Sequence, residues 1–75
     1  MTYRTISGLS FKVWSPSLYE LCAVDDESLI ATVSLAYVPR AWYIDVLMKA
    51  GHSVHRGPFR SRDEAVALIA GRRAA

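Results

Sequence analysis

Apolar and polar residues alternate with a period of two over much of this chain, the spacing of strands that bury one face. In Leu9 to Trp14, the set Leu9, Phe11 and Val13 alternates against Ser10, Lys12 and Trp14. Ser15-Pro16-Ser17 breaks the pattern, because proline lacks the amide donor that a ladder requires. Leu18 to Val24 reads as a second strand and Asp25-Asp26-Glu27-Ser28 as the turn after it. The acidic cluster also suits a helix N-terminus. However, Leu29, Ala31, Val33, Leu35 and Tyr37 then alternate against Ile30, Thr32, Ser34, Ala36 and Val38, which argues for a strand. After Pro39-Arg40, Ala41 to Met48 places Trp42, Ile44, Val46 and Met48 on one face and Tyr43 and Asp45 on the other. Its Trp-Tyr-Ile opening favours a strand, with a short helix ending at Gly51 as the competing reading. A last short strand near His52 to Arg56 is expected to end at Gly57-Pro58, and residues 1–8 form a lead-in or a short edge strand.

The period then changes. Ser61-Arg62-Asp63-Glu64 has the form of a capping box, in which the serine hydroxyl accepts from the Glu64 amide and the Glu64 carboxylate reaches back. Asp63 and Glu64 also suit the positive end of the helix dipole. The spacing predicts a helix over Arg62–Ala70, with Ala65, Leu68 and Ile69 as its inward stripe, Val66 at the margin and Gly71 as C-cap. So short a helix must dock on the sheet to be stable. The expected fold is α+β: one small domain, residues 1–75, with a four- to five-stranded antiparallel meander and one C-terminal helix on one face.

A chain of 75 residues with 52% hydrophobic residues is too apolar to be disordered, yet too small to enclose a sizeable cavity. A second copy or a partner would relieve its shortage of core. The net charge of +2 is uneven, with residues 1–38 summing to −2 and residues 39–75 to +4. Cys22 is alone, so no internal disulfide can form; placed in an apolar strand, it is expected to pack as a small hydrophobe. The opening MTYRTISGLS lacks the apolar core of a signal peptide, and no run is long enough to span a membrane as a helix. A cytoplasmic location is expected.

The candidate chemistry is that of binding. His52 and His55 have an H-x-x-H spacing, but positions three apart on a strand point to opposite faces and suit one metal ion poorly. No nucleophile elbow, acid–base carboxylate pair or phosphate-cradling glycine loop is present, so neither catalysis, nor a metal, nor a cofactor is expected. Arg56, Arg60 and Arg62 bracket a helix N-terminus, where free amides and the dipole attract anions, and His52 and His55 lie close in sequence. Arginine also recognises phosphate and carboxylate in a bidentate manner. Among the aromatics Trp14, Tyr19, Tyr37, Trp42 and Tyr43, the outward positions of Trp14 and Tyr43 make these two the best exposed anchors.

The junction Gly57-Pro58-Phe59-Arg60-Ser61-Arg62-Asp63-Glu64-Ala65 resembles the strand-to-helix junction of small modules from mobile elements, among them the AP2-like, arm-type DNA-binding domains of phage integrases. That resemblance implies a sheet inserted into a DNA groove. In size and type the chain also resembles phage-encoded inhibitors, including anti-CRISPR proteins, which occlude a surface on a nuclease or nucleoprotein complex. The outer strand faces carry few of the Arg, Lys, Asn and Gln side chains that groove reading uses. The leading expectation is therefore a non-catalytic inhibitor acting on a protein or nucleoprotein complex. A nucleic-acid-binding module on the same basic residues is the alternative, and a homodimer paired through a strand edge is a third reading.

Overall fold

In a computed structural model, residues 2–22 and 28–74 are described. Among them, six strands precede one helix: β1 (Thr2–Ile6), β2 (Leu9–Ser15), β3 (Leu18–Leu21), β4 (Ser28–Tyr37), β5 (Arg40–Met48), β6 (Ser53–Phe59) and α1 (Arg62–Ala74). They form one antiparallel sheet in the order β1-β2-β3-β4-β5-β6, so each strand lies beside its neighbours in sequence. The helix packs across β4, β5 and β6. No helix among the described residues is long and apolar enough to cross a membrane.

The α+β class and the meander agree with the sequence, but the strands number six rather than four or five. The added strand is β1, formed where a lead-in was the competing reading. Ser7 and Gly8 both have positive φ, 51° and 80°, and Ile6 pairs directly with Leu9. That is the backbone of a two-residue hairpin whose twist matches the strands it joins. The stretch from Ala41 to Met48 is strand, as its aromatic and β-branched residues favoured.

The other departures follow from three bulges. The register shifts between Val13 and Ser15 in β2, between Ser28 and Ile30 in β4, and opposite Trp42 and Ile44 in β6. Each inserts one residue that the partner strand does not match. Leu29, expected inward, is thereby left 54% exposed. β6 continues through Gly57-Pro58 to Phe59 instead of stopping, because an edge strand at a bulge tolerates a residue without an amide donor. β3 ends at Leu21, earlier than expected, and Cys22 is exposed instead of packed. Of the turn expected over residues 25–28, Ser28 is instead the first residue of β4, and residues 25–27 lie outside the described residues.

The alternation of β2, β4 and β5 puts Phe11, Val33 and Ile44 on one face, where they meet Ala65, Val66 and Ile69 of the helix. Ile6, Tyr19, Leu21 and Ala31 complete one contiguous buried cluster, edged by Leu9, Val13, Trp42, Val46 and Phe59. Val66 is fully buried and Leu68 is 38% exposed, the reverse of the expected stripe. The inward row runs Arg62, Ala65, Val66, Ile69, since the helix turns Arg62 toward Tyr19. Ser61 Oγ accepts from the Glu64 amide at 3.1 Å, as the capping box requires. Glu64 reaches back to accept from the Arg60 amide at 3.3 Å, not from Ser61. The helix runs past Gly71 to Ala74, because a glycine inside a helix costs only about 1 kcal/mol and need not end it.

Candidate interaction surfaces

The basic residues of the β6–α1 region are distributed rather than gathered. His52 lies at the β5–β6 turn, where its carbonyl accepts from the Met48 amide at 2.8 Å. Arg60 lies beyond the opposite end of β6, about 20 Å away along a strand of this length. Period-two geometry then separates neighbours: Arg56 is opposite Ile44 on the helix-covered side, and His55 is opposite Asp45 on the open side. Arg62 is half-buried, donates to the Tyr19 hydroxyl at 3.0 Å and pairs with Asp63. The bond to Tyr19 raises its pKa above the usual arginine value, desolvation opposes this, and Asp63 adds to the rise. Its guanidinium is already engaged by partners within the chain. Arg60 has an exposed side chain, and so has Arg56, which caps the His55 carbonyl at 3.0 Å.

The structure gathers Trp14, Tyr43 and His55 on the face of the sheet that the helix leaves open. Trp14, at the bulge in β2, is 53% exposed. Lys12 Nζ lies 4.1 Å from the centre of its ring, and its indole N–H donates to Glu20 at 3.2 Å. Across the sheet, His55 Nδ1 donates to Asp45 at 2.5 Å, and the His55 ring stacks on Tyr43 at 5.0 Å. Gly57 lies against that same Tyr43 ring.

These groups belong to a register that crosses all six strands. Tyr3 pairs with Lys12, Lys12 with Glu20, Glu20 with Thr32, Thr32 with Asp45 and Asp45 with His55. On one side of this row the open face carries Ile30 opposite Leu47, 42% and 38% exposed. On the other side it carries Trp14, Leu18 and the Ser34–Tyr43 pair. A shallow depression open to solvent is lined by Tyr3, Lys12, Glu20, Cys22, Leu29 and Ile30. The formal charge of the row is −1, from Lys12, Glu20 and Asp45, so the row itself offers a phosphate backbone no net attraction.

A second surface, not singled out by the sequence, is the end of the sheet where β4 turns into β5. Tyr37 pairs with Arg40 across a two-residue tip, Val38-Pro39, whose peptide bond is cis. Val38 is 94% exposed and Tyr37 67%. Because Trp42 is opposite Phe59, the same end of the sheet carries both Arg40 and Arg60. The signal in the sequence was a valine placed in a turn, where Gly, Pro, Asn, Asp and Ser are usual.

Among the described residues, no group of three or more His, Cys, Asp or Glu side chains is placed to hold a metal ion. No protein-family model, no curated protein and no solved structure matches the chain.

Proposed function

We propose that this chain is a non-catalytic binding protein that docks on a protein or nucleoprotein complex through the β4–β5 tip and the adjoining Arg40 and Arg60. The observation that carries this reading is the tip itself. A valine left 94% exposed beside a tyrosine left 67% exposed, on the longest strand pair of the sheet, makes a projecting apolar anchor. Arginines flanking an aromatic anchor are the composition that interfaces favour. The narrower reading, a phage-type inhibitor of the anti-CRISPR kind that occludes a nucleic-acid-handling complex, is supported by the resemblance in size and type. The alternative, direct nucleic-acid binding, draws on the same two arginines and gains no net phosphate attraction from the central row of the open face.

The test is capture of partners from a bacterial lysate on the tagged chain, with and without nuclease, for the wild type and for the double variants Tyr37→Ser/Val38→Ser and Arg40→Ala/Arg60→Ala. A discrete complex that survives nuclease and is weakened about 30-fold or more by either variant is expected of a hot-spot anchor. Capture that is lost with the nucleic acid would establish the alternative. Capture that survives both variants would place the interface elsewhere.

A further inference from the structure

The geometry points to a second copy of this chain as the occupant of the open sheet face, in a face-to-face two-fold dimer whose axis runs parallel to the strands between β3 and β4. This goes beyond the docking role of the β4–β5 tip and does not depend on it. The open face is complementary to itself. Such an axis exchanges β1 with β6, β2 with β5 and β3 with β4, and leaves each row of side chains facing the same row of the other copy. Along the central row, Lys12 then faces Asp45 of the second copy, Tyr3 faces His55, and the Glu20 carboxylate faces the Thr32 hydroxyl. Along the flanking rows, Trp14 faces Tyr43, and Cys22 faces Ile30. Each charge of the central row meets an opposite charge or a hydrogen-bond partner, and Trp14 and Tyr43 meet each other.

The other in-plane axis, running across the strands along this row, has the opposite result. It sets Lys12 on Lys12, Glu20 on Glu20 and Asp45 on Asp45, so the charge pattern selects the strand-parallel axis. Either axis keeps the strands of the two sheets aligned, as paired sheets pack, so the choice between them rests on charge. Six strands about 4.8 Å apart and three same-face rows about 6.8 Å apart make a flat footprint of about 600 Å² on each copy. The accessible area of a side-chain-studded face exceeds its footprint, which brings the contact to the lower end of stable interfaces, at about 600 to 800 Å² per copy. A chain of 75 residues also has the most to gain from a second apolar layer.

The test is analytical ultracentrifugation of the full chain at high micromolar concentration. The wild type is expected at twice the chain mass of 8.3 kDa. Lys12→Glu and Asp45→Lys each create two like-charge contacts across the axis and are each expected to weaken the dimer at least about tenfold. An equimolar mixture of the two variants restores both opposite-charge contacts, Glu with Lys and Asp45 with Lys12, and is expected to return to the dimer mass. Circular dichroism of each variant checks that it is folded. A monomeric wild type, single variants that dimerise as well as the wild type (the result for edge-to-edge pairing or a different face), or a mixture that stays monomeric would each overturn the proposal.

Discussion

Replacing Gly57 with alanine tests how closely the open face is built. Gly57 has φ of +143°, and a residue with a side chain held there costs about 1–3 kcal/mol. The added Cβ would stand 2.5 Å from Tyr43 Cδ1 and 3.0 Å from the Trp42 carbonyl oxygen. The carbonyl belongs to the backbone of β5 and cannot retreat, while the Tyr43 ring can yield only by leaving its stack on His55. Overpacking of this kind costs about 1–3 kcal/mol more. The sum, about 2–6 kcal/mol, is a large part of the roughly 4–11 kcal/mol expected for 75 residues. Since 1 kcal/mol moves the Tm of such a domain by about 4–8 °C, Gly57→Ala is expected to lower it by at least about 8 °C. Urea unfolding followed by tryptophan fluorescence, with calorimetry, measures the change. Two controls separate its causes. Gly51, at φ +94° with nothing within 4 Å, should cost only the conformational part, about 1 kcal/mol as alanine. Gly71, helical and equally open, should become more stable by about 0.5–1 kcal/mol. Equal losses at Gly57 and Gly51 would refute the claim that Tyr43 is packed against the glycine.

Two further outcomes follow from the helix and its first turn. Ser61→Ala removes the acceptor for the Glu64 amide and should cost about 1 kcal/mol, read as a Tm lowered by about 4–8 °C; no loss would show that solvent replaces the cap. Arg62→Met keeps the packed stem but loses the bond to Tyr19, for a cost of about 1–3 kcal/mol in urea unfolding. Because the folded pKa of Arg62 is raised, its contribution is complete below the unfolded value and is lost only as pH rises through the folded one. The difference between Arg62→Met and wild type should therefore be the same at about pH 5 and about pH 9. A difference that changed between those two would assign the effect to another group.

Much of the fold was legible in period-two alternation, because one buried face imposes that period wherever a strand pairs without interruption. Phe11 and Val13, Ala31 and Val33, and Ile44 and Val46 all face inward as their spacing indicates. The three bulges were not legible, since an extra residue is defined only against the strand it faces. That is why Leu29 was misplaced and why β6 outruns Gly57-Pro58. The candidate site was less legible than the fold. Arg62 has the composition of an anion ligand, but its partner Tyr19 is 43 residues away, and nothing local announces it. His55 and Arg56 are adjacent in sequence and on opposite faces of a strand, so a patch drawn on sequence proximity divides in space. Trp14 and Tyr43 were found because outward positions on an alternating strand can be counted.

The up-and-down strand order has a consequence for how the chain is made. Every strand pairs with one that has just been synthesised, so the hairpins can close in turn with little search. The helix, however, follows all six strands, and it alone supplies Ala65, Val66 and Ile69 to the core. Until it emerges and docks, the inner face with Phe11, Val33 and Ile44 is an uncovered apolar sheet. The most hazardous moment for this protein is thus the interval in which its sheet is complete and its last element is still to come, the state in which edge and face association compete with folding.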